Sequence, residues 1–145
     1  MGLIQAVRRI QFCAGHRVLG HEGKCAFMHG HNYVALLHAR APSLDSVGRV
    51  IDFSVLKERL GGWIEDQWDH GFIHKDDDDQ VARALESVPG QKRFTMEANP
   101  TAENMAAYLL YQVGPAELEG TGVELVKVEL WETENCLAVV EKEAG

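Results

Sequence analysis

Three histidines in the first quarter of the chain have a spacing that suits a metal site. His29 and His31 flank Gly30, and residues two apart on a strand project to the same face, so both imidazoles can reach one ion. His16 follows the first predicted strand, and it reaches the same end if the first two strands pair as a hairpin. Three neutral imidazoles leave one position of tetrahedral zinc open, which is typical of a catalytic site. Spacing alone leaves a chance cluster equally open, because the chain holds seven histidines.

Cys25 lies four residues before His29, and the sequence leaves three roles open for its thiol. It is a fourth metal ligand, an acid/base group beside the metal, or an inert buried side chain. The chain holds three cysteines, an odd and small number that argues against a disulfide framework. Each of them is therefore interpreted as a core residue, a ligand or a reactive thiol: Cys13, Cys25 and Cys136.

Two further acidic positions could take part in chemistry. Asp69 and His70 are adjacent after a predicted helix, and a carboxylate that supports a histidine is a common proton-transfer unit. An ordinary surface pair is an equally good interpretation of these two residues. Glu132 follows Val128 and Leu130 on the apolar face of a predicted strand. Because a buried carboxylate is costly without donors, Glu132 either lies at the sheet margin or anchors a ligand.

The elements that position these residues follow from the apolar patterns. Alternation predicts four strands, at residues 3–13, 31–39, 123–133 and 137–141. Helical spacing predicts two helices between the second and third strands. The order indicates an α+β fold with a four-stranded antiparallel sheet, ββααββ, and two helices on one face, in a single domain spanning residues 1–145. The two open edges of such a sheet favour oligomerisation.

Glycine and proline set the expected ends of the two helices. The first helix, residues 54–67, contains Gly61-Gly62, where we expect a bend or an early end. The second helix begins near Thr101 and is expected to stop at Gly114-Pro115.

Composition excludes several classes of function. The apolar fraction of 46% suits one packed core, and no segment approaches the roughly 20 apolar residues of a membrane helix. The start of the chain lacks the apolar stretch of a secretory signal, so we expect a cytoplasmic protein. The net charge of −8 argues against nucleic acid as a partner. The acidic run Asp76–Asp79 predicts a solvated loop, and Arg17 is expected to be a solvated surface residue.

Six segments together resemble the family of 6-pyruvoyltetrahydropterin synthase and 6-carboxytetrahydropterin synthase, over nearly the whole chain. The most specific is CAFMHGHNY at residues 25–33. The others are FCAGHR at 12–17, GRVIDF at 48–53, DH at 69–70, PTAEN at 100–104 and ET at 132–133. Two departures stand out: residues 71–99 form a longer stretch than is usual in the family, and His74 stands where an asparagine is common.

The resemblance implies a role for each candidate residue. Zn²⁺ would be the cofactor, held by His16, His29 and His31. Cys25 would be the proton acceptor, with His70 in a relay supported by Asp69 and extended by Glu132. Glu132 would also grip the pterin edge, and Thr101 is placed with it among the substrate-binding residues. The fold implied is the tunnelling fold, in which trimers close their sheets into a β-barrel and two trimers stack into a homohexamer.

The substrate implied is 7,8-dihydroneopterin triphosphate, and the family offers two outcomes. One eliminates triphosphate and gives 6-pyruvoyltetrahydropterin. The other also releases acetaldehyde and gives 6-carboxytetrahydropterin, on the route to queuosine and other deazapurines. The short chain and the compact Cys-x-x-x-His-Gly-His segment resemble the second type. A zinc or pterin-binding module without catalysis is the alternative from another class.

Overall fold

A six-stranded mixed sheet forms the centre of the molecule. The computed structural model describes residues 3–143, so Met1, Gly2, Ala144 and Gly145 of the predicted single domain lie outside the described range. The strands are β1 (Ala6–His16), β2 (His29–Arg40), β3 (Gly71–Lys75), β4 (Arg93–Met96), β5 (Glu124–Thr133) and β6 (Cys136–Glu141). Their order across the sheet is β4-β3-β1-β2-β5-β6.

The four predicted strands are present and antiparallel. β1 and β2 form a long hairpin whose register runs from Ala6 opposite Ala39 to His16 opposite His29. β2 pairs with β5, and β5 pairs with β6. The register of β2 and β5 shifts by one residue between His38 and Ala39, which is the signature of a β-bulge. The bulge reverses the alternation on β5, so Leu125 is buried although strict alternation from Val128 and Leu130 would bury Val126.

The prediction of only four strands was wrong. β3 pairs parallel with β1, and β4 pairs parallel with β3, which extends the sheet by two strands. Both lie in the long stretch between residues 71 and 99, together with a helix, α2 (Asp79–Glu86). The first four residues of β3 are all buried, so this strand lacks the alternation of apolar and polar residues that indicates a half-buried strand. Val81 and Leu85 of α2 pack on Phe72 of β3 as a small separate core.

The acidic run was predicted to be a solvated loop, and that prediction was wrong at its centre. Asp78 is buried, with 2% of its surface exposed, and it caps α2 by accepting a hydrogen bond from the Val81 N–H. A carboxylate at this position stabilises the start of a helix, because it pairs with free N–H groups there.

The two predicted helices pack on one face of the sheet. Helix α1 covers residues 53–67 as Phe53–Leu56, a wider π-helical segment Lys57–Gly61, and Gly62–Gln67. Of the bend or early end predicted at Gly61-Gly62, the early end is absent, since the helix continues through both glycines to Gln67. A Cβ on Gly61 would lie 2.8 Å from Ile10 Cδ1, so glycine permits close packing of the helix on β1.

Helix α3 covers residues 102–117 as Ala102–Tyr108, a π-helical segment Leu109–Val113, and Gly114–Glu117. It begins near Thr101 as predicted, and Thr101 caps it, since the Thr101 hydroxyl accepts a hydrogen bond from the Asn104 N–H. The predicted stop at Gly114-Pro115 was wrong, because proline is tolerated in the first turn after the π-helical segment.

The main core lies between this helical face and the sheet. It includes Tyr33, Leu37, Val128 and Leu130 from the strands and Leu56, Leu60, Ile64, Met105 and Leu109 from the helices. No helix among residues 3–143 combines the length and the hydrophobicity that a bilayer span requires.

Candidate metal centre and acid/base site

The hairpin of β1 and β2 brings the three predicted histidines together. His16 lies opposite His29, and His31 follows two residues later on the same face of β2. The ring centroids are 4.6 Å apart for His16 and His29, 5.1 Å for His16 and His31, and 4.9 Å for His29 and His31. Their ligand nitrogens lie within 4.8 Å of one another. The histidines are therefore placed as the spacing predicted, as one three-imidazole centre.

Backbone carbonyls fix the protons of two of these imidazoles. His16 Nδ1 donates to the carbonyl of Pro100 at 2.7 Å, and His29 Nδ1 donates to the carbonyl of Phe27 at 2.6 Å. A carbonyl oxygen can only accept, so in each neutral ring the Nε2 atom is left with a lone pair. These two Nε2 atoms face each other at 3.0 Å. Two facing lone pairs repel unless a proton or a cation lies between them, which is the donor arrangement that a metal ion requires.

His31 completes the donor set. Its Nε2 atom is buried and forms no hydrogen bond within the described part of the chain. Burial lowers the pKa of His31. The charge of Glu132 opposes this lowering, and the charges of His16 and His29 add to it. A neutral imidazole with an unsatisfied nitrogen is costly in a protein interior but suits a metal ligand. The residues present therefore fit a zinc ion.

Glu132 lies beside the same nitrogens. Its Oε1 atom is 3.2 Å from both His16 Nε2 and His31 Nε2. The neighbouring His16 is the largest cause that lowers the pKa of Glu132; burial opposes this effect, and the charges of His31, His16 and His29 add to the lowering. The carboxylate thus remains ionised at the edge of the centre. It can accept hydrogen bonds from a ligand there or add an oxygen donor to the ion.

Two glycines make room for close packing beside the histidines. Gly15 and Gly30 are directly opposite in the register. A Cβ on Gly30 would lie 3.0 Å from the carbonyl oxygen of Ala14, and a Cβ on Gly15 would lie 2.6 Å from a ring carbon of Phe72. Gly30 thus permits the close approach of β2 to β1, and Gly15 leaves room for the Phe72 ring of β3.

Asp69 and His70 form a hydrogen-bonded pair at the end of α1. His70 Nδ1 donates to Asp69 Oδ2 at 2.8 Å, and the imidazole is 77% exposed. Burial alone would raise the pKa of Asp69, but hydrogen bonds from the Cys13 N–H and from His70 outweigh it, and the net pKa is lowered. His70 has a φ of 61°, which is the left-handed region that a non-glycine residue rarely adopts. The pair therefore presents a supported, accessible imidazole, as a proton-transfer unit requires.

A shallow cavity of about 360 Å³ lies at this end of the hairpin, and its lining includes Cys13, His31 and His70 but neither His16 nor His29. A larger cavity of about 710 Å³ lies along β1 and α1 and includes Asp69 but none of the three histidines. The candidate site is therefore defined by its donor atoms rather than by a cavity.

The other predicted site residues lie apart from these contacts. Cys25 is half-buried in a single 3₁₀ turn, Lys24–Ala26, and its thiol forms no hydrogen bond within residues 3–143. Thr101 uses its hydroxyl oxygen to cap α3 and follows Pro100, whose carbonyl holds His16. Its place among the substrate-binding residues stays a prediction.

Two interactions at the site were missed by sequence reasoning. Arg17 was expected to be a solvated residue, but it forms a two-pronged ion pair with Asp78, with Nε to Oδ2 at 2.6 Å. The pair anchors the chain directly after His16 to the start of α2. The second is Cys13, whose Sγ atom lies 3.6 Å from His70 Nε2. Both depend on the pairing of β1 with the undetected strand β3, so no local pattern could have indicated them.

The fold and the site together define an α+β class in which a β-hairpin presents a three-histidine centre near an acid/base pair. The family profile described as 6-pyruvoyl tetrahydropterin synthase matches residues 5–143. A 6-carboxy-5,6,7,8-tetrahydropterin synthase of Rickettsia felis is 40% identical over 138 residues, covering 95% of this chain and 100% of that protein. The chain belongs to the 6-pyruvoyl tetrahydropterin synthase family of enzymes, which confirms the resemblance of the six segments.

Solved structures share the fold. An uncharacterized protein of Wolinella succinogenes superposes with a TM-score of 0.83 at 24% identity, covering 99% of this chain and 100% of that one. A 6-pyruvoyl tetrahydropterin synthase of Caenorhabditis elegans superposes with a TM-score of 0.70 at 24% identity, covering 99% and 98%.

Proposed function

We propose that this protein is a zinc-dependent 6-carboxy-5,6,7,8-tetrahydropterin synthase. It would convert 7,8-dihydroneopterin triphosphate and water to 6-carboxytetrahydropterin, acetaldehyde and triphosphate, in the biosynthesis of queuosine and other deazapurines. The observation that carries the metal-dependent reaction is the pair of facing Nε2 atoms of His16 and His29, 3.0 Å apart with their Nδ1 protons committed to carbonyls. The name of the Rickettsia felis relative supports the choice of product.

His16, His29 and His31 would hold the zinc ion. Bound there, zinc acts as a Lewis acid that makes the hydroxyl groups of the substrate side chain more acidic. The centre sits on two paired strands, and rigid elements of this kind hold ligands more precisely than loops do.

Glu132 would anchor the pterin. A dihydropterin presents an amino group and a ring N–H along one edge, and an ionised carboxylate can accept from both. The lowered pKa of Glu132 keeps it ionised at neutral pH, and its position 3.2 Å from His16 and His31 means that a pterin held there would have its side chain close to the centre.

Asp69 and His70 would transfer protons at the reacting carbons. The Asp69 carboxylate holds the Nδ1 proton of His70, so His70 Nε2 is left to accept a proton from the substrate. The high exposure of the His70 ring gives a substrate access to that nitrogen.

Cys25 would be the second proton-transfer group. Because its thiol forms no hydrogen bond with Asp69, His70 or Glu132 within residues 3–143, we place its action at a site shared between subunits of the homohexamer. A neighbouring subunit would then supply the thiol that faces His70.

The function is tested by product analysis with zinc-loaded protein and dihydroneopterin triphosphate. Equal amounts of acetaldehyde and 6-carboxytetrahydropterin are expected. Triphosphate release without acetaldehyde would instead indicate the 6-pyruvoyl reaction, which is named in the family profile and in the Caenorhabditis elegans structure. Pterin binding without any product would indicate a binding module.

The Cys25→Ala variant tests the role of that thiol. We expect it to retain one zinc ion per chain and lose turnover by roughly 10²–10⁴-fold, because a general acid/base group contributes that much. The Cys136→Ala variant is the matched control, since Cys136 is exposed on β6, and it should keep full activity. Loss of zinc together with activity in Cys25→Ala would make Cys25 a ligand and contradict the proposed role.

A further inference from the structure

Cys13 joins Asp69 and His70 in a cluster that the proposed function does not use as a unit. Cys13 Sγ lies 3.8 Å from Asp69 Oδ1, and it lies 3.7 Å and 3.6 Å from Nδ1 and Nε2 of His70. One donor atom from each of these residues lies within 4.8 Å of the other two. We call these three residues the thiol cluster.

The thiol cluster is separate from the three-histidine centre. Cys13 is paired with Asn32 in the hairpin, one residue out of phase with Ala14 and His31. Because successive residues of a strand point to opposite faces, the Cys13 side chain leaves the sheet on the side away from the histidine rings. An ion at either place would have its own protein ligands.

The main chain holds the thiol cluster in position. The Cys13 N–H donates to Asp69 Oδ1 at 3.0 Å, and the His70 N–H donates to the Cys13 carbonyl at 2.7 Å. The parallel pairing of β1 and β3 begins at the next residue of each segment, Ala14 opposite Gly71. The backbone segments that carry the three donor side chains are therefore fixed relative to one another before any ligand binds. This preorganisation lowers the free-energy cost of binding a ligand.

The distances in the thiol cluster suit a tetrahedral ion. Bonds of about 2.0 Å to nitrogen or oxygen and about 2.3 Å to sulfur place a tetrahedral sulfur ligand about 3.5 Å from a nitrogen or oxygen ligand. The three distances from Cys13 Sγ, 3.6 to 3.8 Å, are longer than this value by about 0.1–0.3 Å. Sulfur is nearly equidistant from both ring nitrogens, so it lies over the face of the His70 ring. The ring must turn to direct one nitrogen at the ion, and its 77% exposure allows that.

We propose that Cys13, Asp69 and His70 form a second metal site, for a thiophilic divalent cation such as Zn²⁺. One thiolate, one imidazole and one carboxylate are a donor set that favours such ions over Mg²⁺ or Ca²⁺. Binding releases the thiol proton to solvent. An ion held there occupies a nitrogen of His70 and opposes its proton transfer. This inhibition rests on the proposed function, whereas the binding does not.

The test is a Cd²⁺ titration of reduced full-length protein whose three-histidine centre has first received one equivalent of Zn²⁺. Cd²⁺ bonded to thiolate gives an ultraviolet charge-transfer band that imidazole ligands do not give. Wild-type protein is expected to develop this band with one equivalent of Cd²⁺. The Cys13→Ala variant should lose the band, and Cys136→Ala should keep it at full amplitude. Circular dichroism confirms that the variants are folded.

Two results would overturn the proposal: a wild-type protein without the band, or a folded Cys13→Ala variant that retains it. The Cys13→Ser variant gives a second reading, because it keeps the size of the side chain and removes the sulfur, and it should also lose the band. The band reports a metal–thiolate bond rather than turnover. A negative result here therefore leaves the proposed function untouched, and an inactive enzyme can still show the band.

Discussion

At the scale of single residues, His70 combines an exposed functional group with a strained backbone. Its φ of 61° costs a residue with a Cβ about 1–2 kcal/mol relative to the right-handed region. The strain turns the chain from the end of α1 into β3, and it directs the imidazole toward Asp69 and away from the core. Backbone strain of this kind concentrates where geometry serves function.

Replacing His70 separates the strain from the chemistry. His70→Gly and His70→Ala both lose the imidazole, and both should lose turnover. His70→Gly should nevertheless be about 0.5–1 kcal/mol more stable than His70→Ala in urea unfolding. Glycine adopts a positive φ without a Cβ clash, which stabilises the folded state, but the greater chain entropy of glycine in the unfolded state offsets part of this stabilisation. An alanine variant at least as stable as the glycine variant would show that the backbone at this position is not strained.

Individual site residues differ in how far sequence could predict them. The spacing of His29 and His31, with the hairpin that carries His16, indicated a three-histidine centre but left a chance cluster equally open. In the structure the three imidazoles do meet. Glu132 was predicted from its place at the end of an apolar face, and it lies beside those histidines. The contact of Cys13 with His70 was not predicted, because the two residues are 57 positions apart in the chain and meet only through tertiary pairing.

At the scale of elements, the ion pair of Arg17 and Asp78 joins the end of β1 to the start of α2. The Arg17 hydrogen bond lowers the pKa of Asp78 most strongly, burial opposes it, and the Val81 N–H and the charges of Arg17 and His74 add to the lowering. The side chain of Asp78 is buried, and that of Arg17 is mostly buried. Loss of either charge therefore leaves the other charge in the protein interior without a partner.

The Asp78→Asn variant should be destabilised by about 3 kcal/mol, which is the lower end of the cost of breaking a buried pair. Asparagine can still cap α2, so the loss reports the charge rather than the cap. The matched control is Asp76→Asn in the same acidic run, where the side chain is exposed, and it should change stability by less than about 0.5 kcal/mol. Equal effects of the two variants would contradict the importance of the pair.

The pH dependence of that difference has a definite sign. A carboxyl group whose pKa is lowered by folding adds stability above its unfolded pKa of about 3.9, and this stability is lost as the pH falls through the lower, folded value. The gap in unfolding free energy between wild type and Asp78→Asn should therefore be full at neutral pH and shrink below about pH 4. Urea unfolding at several pH values measures it.

Elements with a clear period were predictable, and those without one were not. β1, β2, β5 and β6 alternate because one of their faces meets the helices and the other does not. β3 is buried through its first four residues, and β4 has only four residues, so neither shows a period. The bulge at His38 and Ala39 also has no local signature, because it is a property of the pairing with β5.

At the scale of the whole molecule, the sheet keeps two edges, β4 and β6. Val139 on β6 is 51% exposed, and it lies in one cross-strand row with Glu129 and Leu36 on the face away from α1 and α3. An edge strand with exposed apolar side chains favours pairing with another chain. This arrangement is consistent with the predicted barrel of a homohexamer, which stays a prediction.

Light scattering of two variants tests that assembly. Val139→Lys should shift the protein from six chain masses to smaller species, because a charge at the edge opposes pairing between copies. Val88→Lys is the matched control, since Val88 is also 51% exposed but lies after α2, and it should leave the mass unchanged. A monomeric wild type, or an unaltered mass of Val139→Lys, would contradict the role of this edge.

Acetaldehyde release from dihydroneopterin triphosphate by metal-free protein, measured before and after addition of one equivalent of Zn²⁺, tests whether the three histidines hold a catalytic zinc ion. The metal-free protein should release negligible acetaldehyde, and zinc should restore full release. The His29→Ala variant should not recover, because the facing pair of Nε2 atoms is gone, while His21→Ala should recover fully. Undiminished release by verified metal-free protein, or recovery of His29→Ala to the wild-type rate, would contradict a catalytic zinc ion on His16, His29 and His31.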